Sequence, residues 1–473
     1  MQFEINSRAD LTLDLYRRVA WQRDSVKLGA KAMQAMAESR ARFLRLLEDP
    51  AITIYGVTSG YGHMASIRLE GEARRAHARK APRASVAAFG PPAPDRVARG
   101  IVLARLANFV EGHAAVTPAL AAEVAAMLNG APMPQVSMAG QGGAGEILWA
   151  APLFIEIAER FDLGEKDALS LINGSPAAAA LIADAAIAMR RRLDLVERVF
   201  ALSAEAIRAP LEAYDEAFDD LWEDPHEAAA LRRLRALLQG GGVERRKYQA
   251  PVSYRILPRV IGQFRRVIAQ AEEIAASSLR SVTDNPVFLP ADAGHPNGRI
   301  ASNGGYHNAR AYPALDNLAA ACVDLCVLAE RHTTKLLDGR YSLLPDQLQD
   351  GGGHIGILGF VQIGYAEEAR RHAQRTFLPG SEAGGFGQND VAPLTGLAWR
   401  AQEEAGRCLD AALTMLSAVA SQAFHVTGRE APPELQELLS MVRAEFPPVT
   451  GPQTFAAPLE ALMTRLRRSI YDA

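Results

Sequence analysis

Cysteine is scarce in this chain. Cys322, Cys326 and Cys408 are the only three among 473 residues, which argues against a disulfide framework and for a reducing, cytoplasmic home. Aromatic residues make up 7%, a poor supply for a base-stacking platform. A formal net charge of −3 with 22% charged residues leaves no basic field to attract nucleic acid. No CxxC or HExxH pattern supports a metal site, and Cys322 and Cys326, four apart on an apolar helix face, read as core packing. The N-terminus lacks the basic and apolar regions of a signal peptide. No uninterrupted apolar run reaches the ~18 residues of a membrane span. There is no βαβ alternation and no repeat period, so neither a parallel-sheet enzyme nor a solenoid is indicated.

What the chain does have is an Ala- and Leu-rich helical sequence punctuated by polar, Gly-rich breaks. The densest break is Met138-Ala-Gly-Gln-Gly-Gly-Ala-Gly-Glu146, with four glycines between Gly140 and Gly145. Glycine accepts positive φ and lets other groups approach the backbone. Met138, Ile147, Leu148, Trp149 and Leu153 flank it, so a buried loop is expected rather than a surface turn, with its backbone polar groups satisfied.

The other breaks follow in order. Ile52-Thr-Ile-Tyr55-Gly-Val-Thr-Ser-Gly-Tyr61-Gly-His63 reads as a short extended piece and a loop carrying two tyrosines and a histidine. The bland alternative is that both tyrosines are half-buried with their hydroxyls bonded to backbone. Residues 95–128 read as one helix. Asn173-Gly174-Ser175-Pro176 interrupts two apolar helical stretches, and a buried Asn173 needs partners, a ligand being one option. Residues 200–235 carry alternating charge and read as an exposed outer helix. Thr283-Asp284-Asn285-Pro286 stops a helix over 260–280. Ser302-Asn-Gly-Gly-Tyr306-His307-Asn308 opens a helix over 309–337, and helices over 363–375 and 394–424 flank a Gly-rich loop at 380–390. The architecture expected is mainly α, with long helices in a central bundle and a more mixed N-terminal region. The segments expected are 1–160, 161–430 and a helical tail at 431–473.

Five of these motifs, in order, resemble the aromatic amino acid ammonia-lyase and aminomutase family, from about Tyr55 to about Phe424. Tyr55-Gly-Val-Thr-Ser-Gly-Tyr-Gly62 resembles its Tyr-Gly-Val-Asn-Thr-Gly-Phe-Gly. Leu171-Ile-Asn173-Gly174 resembles its Leu-Ile-Asn-Gly, and Ser253-Tyr-Arg255-Ile-Leu-Pro258 its Tyr-Ser-x-Arg-x-x-Pro. Thr283-Asp-Asn285-Pro286 and Ser302 to His307 resemble its Ser/Thr-Asp-Asn-Pro and Ser-Gly-Gly-Asn-Phe-His. The resemblance implies the long-helix fold shared with fumarases, and a homotetramer whose active sites draw on several subunits. It implies that Tyr55 is the base that takes the β-proton, that Asn173 helps hold the electrophile and the substrate, and that Arg255 binds the substrate carboxylate, for which a guanidinium fork is suited.

The Gly-rich stretch departs from the family. There the family has Ala-Ser-Gly, which cyclises to the methylidene-imidazolone (MIO) electrophile as the Ser loses its hydroxyl. Here the matching residues are Gly143-Ala144-Gly145, and an alanine has no leaving group at Cβ. No MIO is therefore expected, and no other cofactor or metal. Related departures are Val252 for the Tyr beside Ser253, Ser85 for the His of a Ser-His motif, and Asn389 for the Glu between Gln388 and Asp390. Glu146 and the spacing to Pro152 differ as well.

The expected function is MIO-independent proton-transfer chemistry on a small carboxylate-bearing substrate, as elimination, conjugate addition, isomerisation or cyclisation, in secondary-metabolite biosynthesis. The catalytic candidates are Tyr55, Tyr61, His63 and Tyr306; the substrate-binding candidates are Asn173, Arg255, Gln388, Asn389, Ser253 and His307. Val57, Leu148, Val252 and Phe386 suggest an apolar pocket wall. Two other readings remain: a catalytically inactive homologue that binds a ligand or helps another chain assemble, and an ordinary ammonia-lyase.

Overall fold

The computed structural model describes residues 1–378, 387 and 389–472, with His63 described by its backbone alone. Helices dominate the described residues. The strands are short: Gln2–Ile5 pairs in parallel with Ser25–Leu28, and Val287–Leu289 pairs antiparallel with Arg299–Ala301. The long helices are Pro176–Ala206, Leu257–Leu279, Ala311–Leu337 and Thr395–Thr427. The first starts where proline is best tolerated in a helix, and a run of buried alanines follows, which loses no side-chain entropy on packing. The expectation of a mainly α, long-helix protein is met. Two stretches, 167–206 and Ala311–Leu337, are long and apolar enough to cross a membrane. The apolar window of the first is wholly buried inside the protein, as in a core helix.

Packing divides the chain into two compact units, and neither is contiguous in sequence. The first comprises Met1–Ala185, Ala271–Leu315 and Arg375–Arg400; the second comprises Ala186–Gln270, Asp316–Gln374 and Ala401–Ala473. This grouping differs from the sequence-order segments 1–160, 161–430 and 431–473. In the first unit, Tyr16 donates to the Ala180 carbonyl at 2.9 Å and Arg96 pairs with fully buried Asp184 at 2.8 Å. In the second, Arg192 grips Asp410 through two bonds of 2.6 and 3.0 Å, both side chains fully buried.

Three local expectations are corrected. Residues 95–128 are not one helix: Asp95–Arg105 runs into a 3-10 turn at Leu106–Asn108, and a new helix starts at Pro118. The break has a cause. The Asn108 side-chain Oδ1 accepts the amides of Thr283 and Asp284 at 2.6 and 3.1 Å, and Gly112 and Ala115 take φ of +79° and +52°. Residues 200–235 are not one exposed helix either. Residues 200–206 complete the buried helix, and the outer piece is Pro225–Leu238, capped by the Asp224 carboxylate. The expected buried loop at 140–145 is buried at one end only: Gly145 is covered, whereas Gly142 is exposed.

Candidate active site

The Gly-rich loop and the Leu-Ile-Asn-Gly break are brought together by one carboxylate. Glu146 lies just before the helix Ile147–Arg160, and its two oxygens accept the amides of Ala177 and Ala178 at 2.5 and 2.8 Å. Those amides are free at the start of the Pro176–Ala206 helix, where a carboxylate also meets the positive end of the dipole. Burial nonetheless pushes the Glu146 pKa up to about 8, against the pull of those two amides and of Arg105. Gly143 and Gly145 have φ of +95° and +70°, a conformation that glycine adopts without strain. A Cβ built on Gly142 or Gly143 would meet nothing within 4 Å, whereas one on Gly145 would lie 3.9 Å from Asn173 Oδ1 and from Tyr306. The loop is thus seated at one end and open at the other.

It opens onto a cavity of 450 Å³ formed within the first unit, a size that suits a small organic ligand. Tyr55, Tyr61, Tyr306, Asn173, Asn389, Gly143 and Ala144 line it, so seven of the positions singled out by sequence converge. Leu148 and Ser85 line it too. Tyr55 and Tyr61 are half-buried, and the Tyr55 oxygen accepts the Gly62 amide at 2.9 Å. That bond orients the phenol and leaves its O–H to donate. Burial, and then the neighbouring Tyr55, hold the Tyr61 hydroxyl above its ordinary pKa.

Asn173 has found protein partners. Its Nδ2 donates to the Asn285 carbonyl and its Oδ1 accepts the Gly174 amide at 2.8 Å, while Arg105 donates to its own carbonyl and to that of Ser170. Asn285 in turn accepts from Ser302 Oγ at 3.1 Å and from the Asn303 amide at 2.8 Å. Behind them, Lys166 and Asp284 form an ion pair with both side chains fully buried, and Ser170 donates to Asp284 at 3.0 Å. These bonds explain why polar motifs far apart in sequence hold one wall rigid.

Other sequence candidates are placed elsewhere. Arg255 and Ser253 belong to the second unit and line no part of the cavity; Arg255 is exposed, its Nε donating to the Ala250 carbonyl at 3.1 Å. Val252 is exposed as well. His307 is half-buried beside the cavity-lining Tyr306 but is not itself a lining residue; burial lowers its pKa and its Nε2 has no partner. Gln388, Phe386 and most of the Gly-rich loop at 380–390 lie outside the described residues, as does the His63 side chain. Sequence reasoning missed His77 and Lys80, which line the cavity from the helix Gly71–Ala78 and just beyond it. Glu72 in its first turn and Arg75 in its last suit the helix dipole. The signal was available: with Ser85 in place of the family His, a neighbouring histidine was worth testing.

The residues present do not fit the family's prosthetic group. The Ala144 methyl group offers nothing to eliminate. The only Ser-Gly step in the chain is Ser59-Gly60. There the Gly60 amide, which would have to attack, is bonded to the Ile67 carbonyl at 3.0 Å, and Ser59 Oγ donates to the Gly60 carbonyl at 3.0 Å. Among the described residues, no three His, Cys, Asp or Glu side chains are grouped to hold a metal ion.

A long-helix fold with a tyrosine- and asparagine-lined cavity against a Gly-rich loop defines a helical lyase class. Residues 11–160 and 155–444 match the aromatic amino acid lyase family model, and the chain belongs to that family. Histidine ammonia-lyase of Streptomyces avermitilis is 27% identical over 92% of this chain and 90% of its own length. The Gloeobacter violaceus histidine ammonia-lyase is 30% identical over 70% of each. Among solved structures, ergothionase of Treponema denticola, an ergothioneine-degrading enzyme, superposes with a TM-score of 0.89 at 17% identity over 99% of both chains. Tyrosine aminomutase of Streptomyces globisporus gives 0.86 at 23% identity, over 99% of this chain and 98% of its own. These two likenesses concern the fold.

Proposed function

We propose that this chain is an MIO-independent enzyme of the family, carrying out proton-transfer chemistry on a small carboxylate-bearing substrate in a biosynthetic pathway of secondary metabolism. One observation carries the reading: the cavity that collects Tyr55, Tyr61, Tyr306, Asn173 and Asn389 is floored by Gly143 and Ala144 rather than by a residue with a leaving group. Without the electrophile an amino group is hard to expel. Elimination then needs a leaving group that departs unaided, such as a quaternary ammonium, and conjugate addition, isomerisation and cyclisation need none. Tyr55 donates a proton to charge that develops on the substrate, and Asn173, Asn389 and the loop amides steady it.

The chain acts in this reading as a cytoplasmic homotetramer with shared sites. Supporting it, Arg255 is exposed and outside its own chain's cavity, where a second copy can use it. The helix Leu358–His372 also carries Phe360 at 74% exposure, with Val361 and Ile363 exposed beside it, and apolar residues grouped this way suit a subunit contact. All three cysteines are free and buried, in keeping with a reducing compartment.

The test is turnover of L-histidine, L-phenylalanine, L-tyrosine, their trimethylated betaines and the matching arylacrylates. The wild type should convert at least one, and Tyr55→Phe should abolish that conversion without changing the assembly. A ligand-binding or assembly subunit would instead turn over none, and Tyr55→Phe would alter affinity only modestly. For shared sites, mixing inactive Tyr55→Phe and Arg255→Ala chains should restore part of the activity; a monomer in solution contradicts the tetramer.

A further inference from the structure

We propose that His77 is the base of this site, working opposite Tyr55 as the proton donor. The assignment rests on the reading of the cavity as a proton-transfer site.

The cavity wall is rich in hydroxyl and amide groups. Among the described residues none of its lining side chains is Asp or Glu, so none of them supplies a carboxylate, the common choice for abstracting a proton. The Tyr55 oxygen is already accepting the Gly62 amide. Tyr61 is driven toward its neutral phenol by burial and by Tyr55. Lys166 is tied to Asp284 inside the protein, and Lys80 is exposed at the rim and contributes positive charge. His77 is the one imidazole among the described lining side chains.

Its setting suits the role. The imidazole packs against the Tyr61 ring, with centroids 5.1 Å apart and planes tilted by 45°. The backbone of Gly56, the residue after Tyr55, favours the protonated ring, against the pull of burial and of Lys80. A neutral imidazole has one N–H and one lone pair. In the neutral ring one nitrogen keeps its lone pair, and His77 lines the cavity where a ligand can meet it. Burial is the main influence holding the His77 pKa below the ordinary value, and Lys80 pushes the same way. Among the described residues, the titratable groups acting on the ring are Tyr61, which packs on it, and Lys80, whose charge opposes its protonation. His77 is therefore neutral, and able to accept, at neutral pH.

In the step itself the substrate's bond to hydrogen breaks, its electron pair stays on the substrate, and a new N–H bond forms on His77. Tyr55 donates its O–H proton, or a hydrogen bond, to the atom where the charge collects. The ring returns its proton to solvent, or to the product in an addition. Base and acid thus line one cavity, His77 held against Tyr61 and Tyr55 held by the Gly62 amide.

The experiment is deuterium incorporation from D₂O into the amino acids, betaines and arylacrylates named above, with wild type, His77→Ala, His77→Gln and Tyr55→Phe. Helicity and thermal midpoint serve as folding controls, and His77→Gln stands in if the alanine variant fails to fold. The wild type should exchange at least one probe, with an acid limb whose midpoint lies below 6.5. His77→Ala should lose at least 100-fold and lose that limb, and added imidazole should restore exchange. Tyr55→Phe should also slow exchange, but it should keep the limb and gain nothing from imidazole. If the wild type exchanges and the His77 variants stay within tenfold of it, keep the limb, or ignore imidazole, the base assignment is wrong and the reading of the cavity stands. If the wild type exchanges none of the probes, that reading fails and the assignment falls with it.

Discussion

His77 and His332 are two imidazoles with lowered pKa, one in each unit, and they differ in what surrounds them. His332 is sealed. It donates to the Ser253 carbonyl at 3.1 Å, accepts from Ser203 Oγ at 3.0 Å and stacks on Tyr254 with centroids 3.6 Å apart. Burial takes its pKa down to about 3. His77 is less perturbed, half-buried and open to the cavity. The most perturbed group is thus the one with least to do chemically, because both its nitrogens are occupied. A shifted pKa marks a site only when the group can also reach a ligand. The same contrast separates the Arg192–Asp410 pair, which does not line this cavity, from the Lys166–Asp284 pair beside Asn173, whose Lys166 does.

The largest effect should come from breaking that second pair. Asp284→Ala leaves the Lys166 charge buried without compensation, which costs about 3–5 kcal/mol. Urea unfolding should register this loss, and calorimetry should show weakened binding of any cavity ligand. The equivalent change at Asp410 should destabilise the protein and leave ligand binding by the folded fraction intact. Equal ligand effects at both positions would break the comparison.

His332 sharpens it through pH. The folded state keeps this imidazole neutral down to about pH 3, while the unfolded chain takes up its proton near pH 6.5. The unfolded state therefore binds more protons as pH falls below 6.5, and stability drops. The slope approaches about 1.4 kcal/mol per pH unit for one full proton. The stability advantage of wild type over His332→Phe should shrink at that rate between pH 6 and 4. A difference independent of pH would show that the imidazole is not held neutral.

The smallest effect distinguishes shape from bulk in the loop. Gly143→Ala meets open space but must take φ of +95°, a strain of roughly 1–2 kcal/mol. Ala144→Gly should change thermal stability by less. Equal effects would mean that backbone conformation is not what the glycines supply.

Much of this was legible in the sequence because it is local. The Asn-Gly and Asn-Pro breaks end helices by their own backbone preferences, and the Gly-rich loop announces its positive φ. The convergence of Tyr55, Asn173, Tyr306 and Asn389 came from motif order, which carries tertiary information that no single segment holds. What stayed hidden depends on long-range partners. Asn108 ends its helix because the amides of Thr283 and Asp284 need an acceptor, and no pattern near residue 108 announces that. His77 sits in an Arg- and Ala-rich segment that reads as a solvated helix, and only the fold turns it toward the cavity. Arg255 matches its motif, yet the fold of one chain leaves it outside the cavity.

The claim that most needs testing is that this family member works without the prosthetic group. Intact mass spectrometry of the purified protein, with mapping of the peptide that holds Gly143-Ala144-Gly145, tests it directly. The predicted mass is that of the unmodified sequence, with no near-ultraviolet band from the group. A mass lower by two water molecules, located to that peptide, would contradict it.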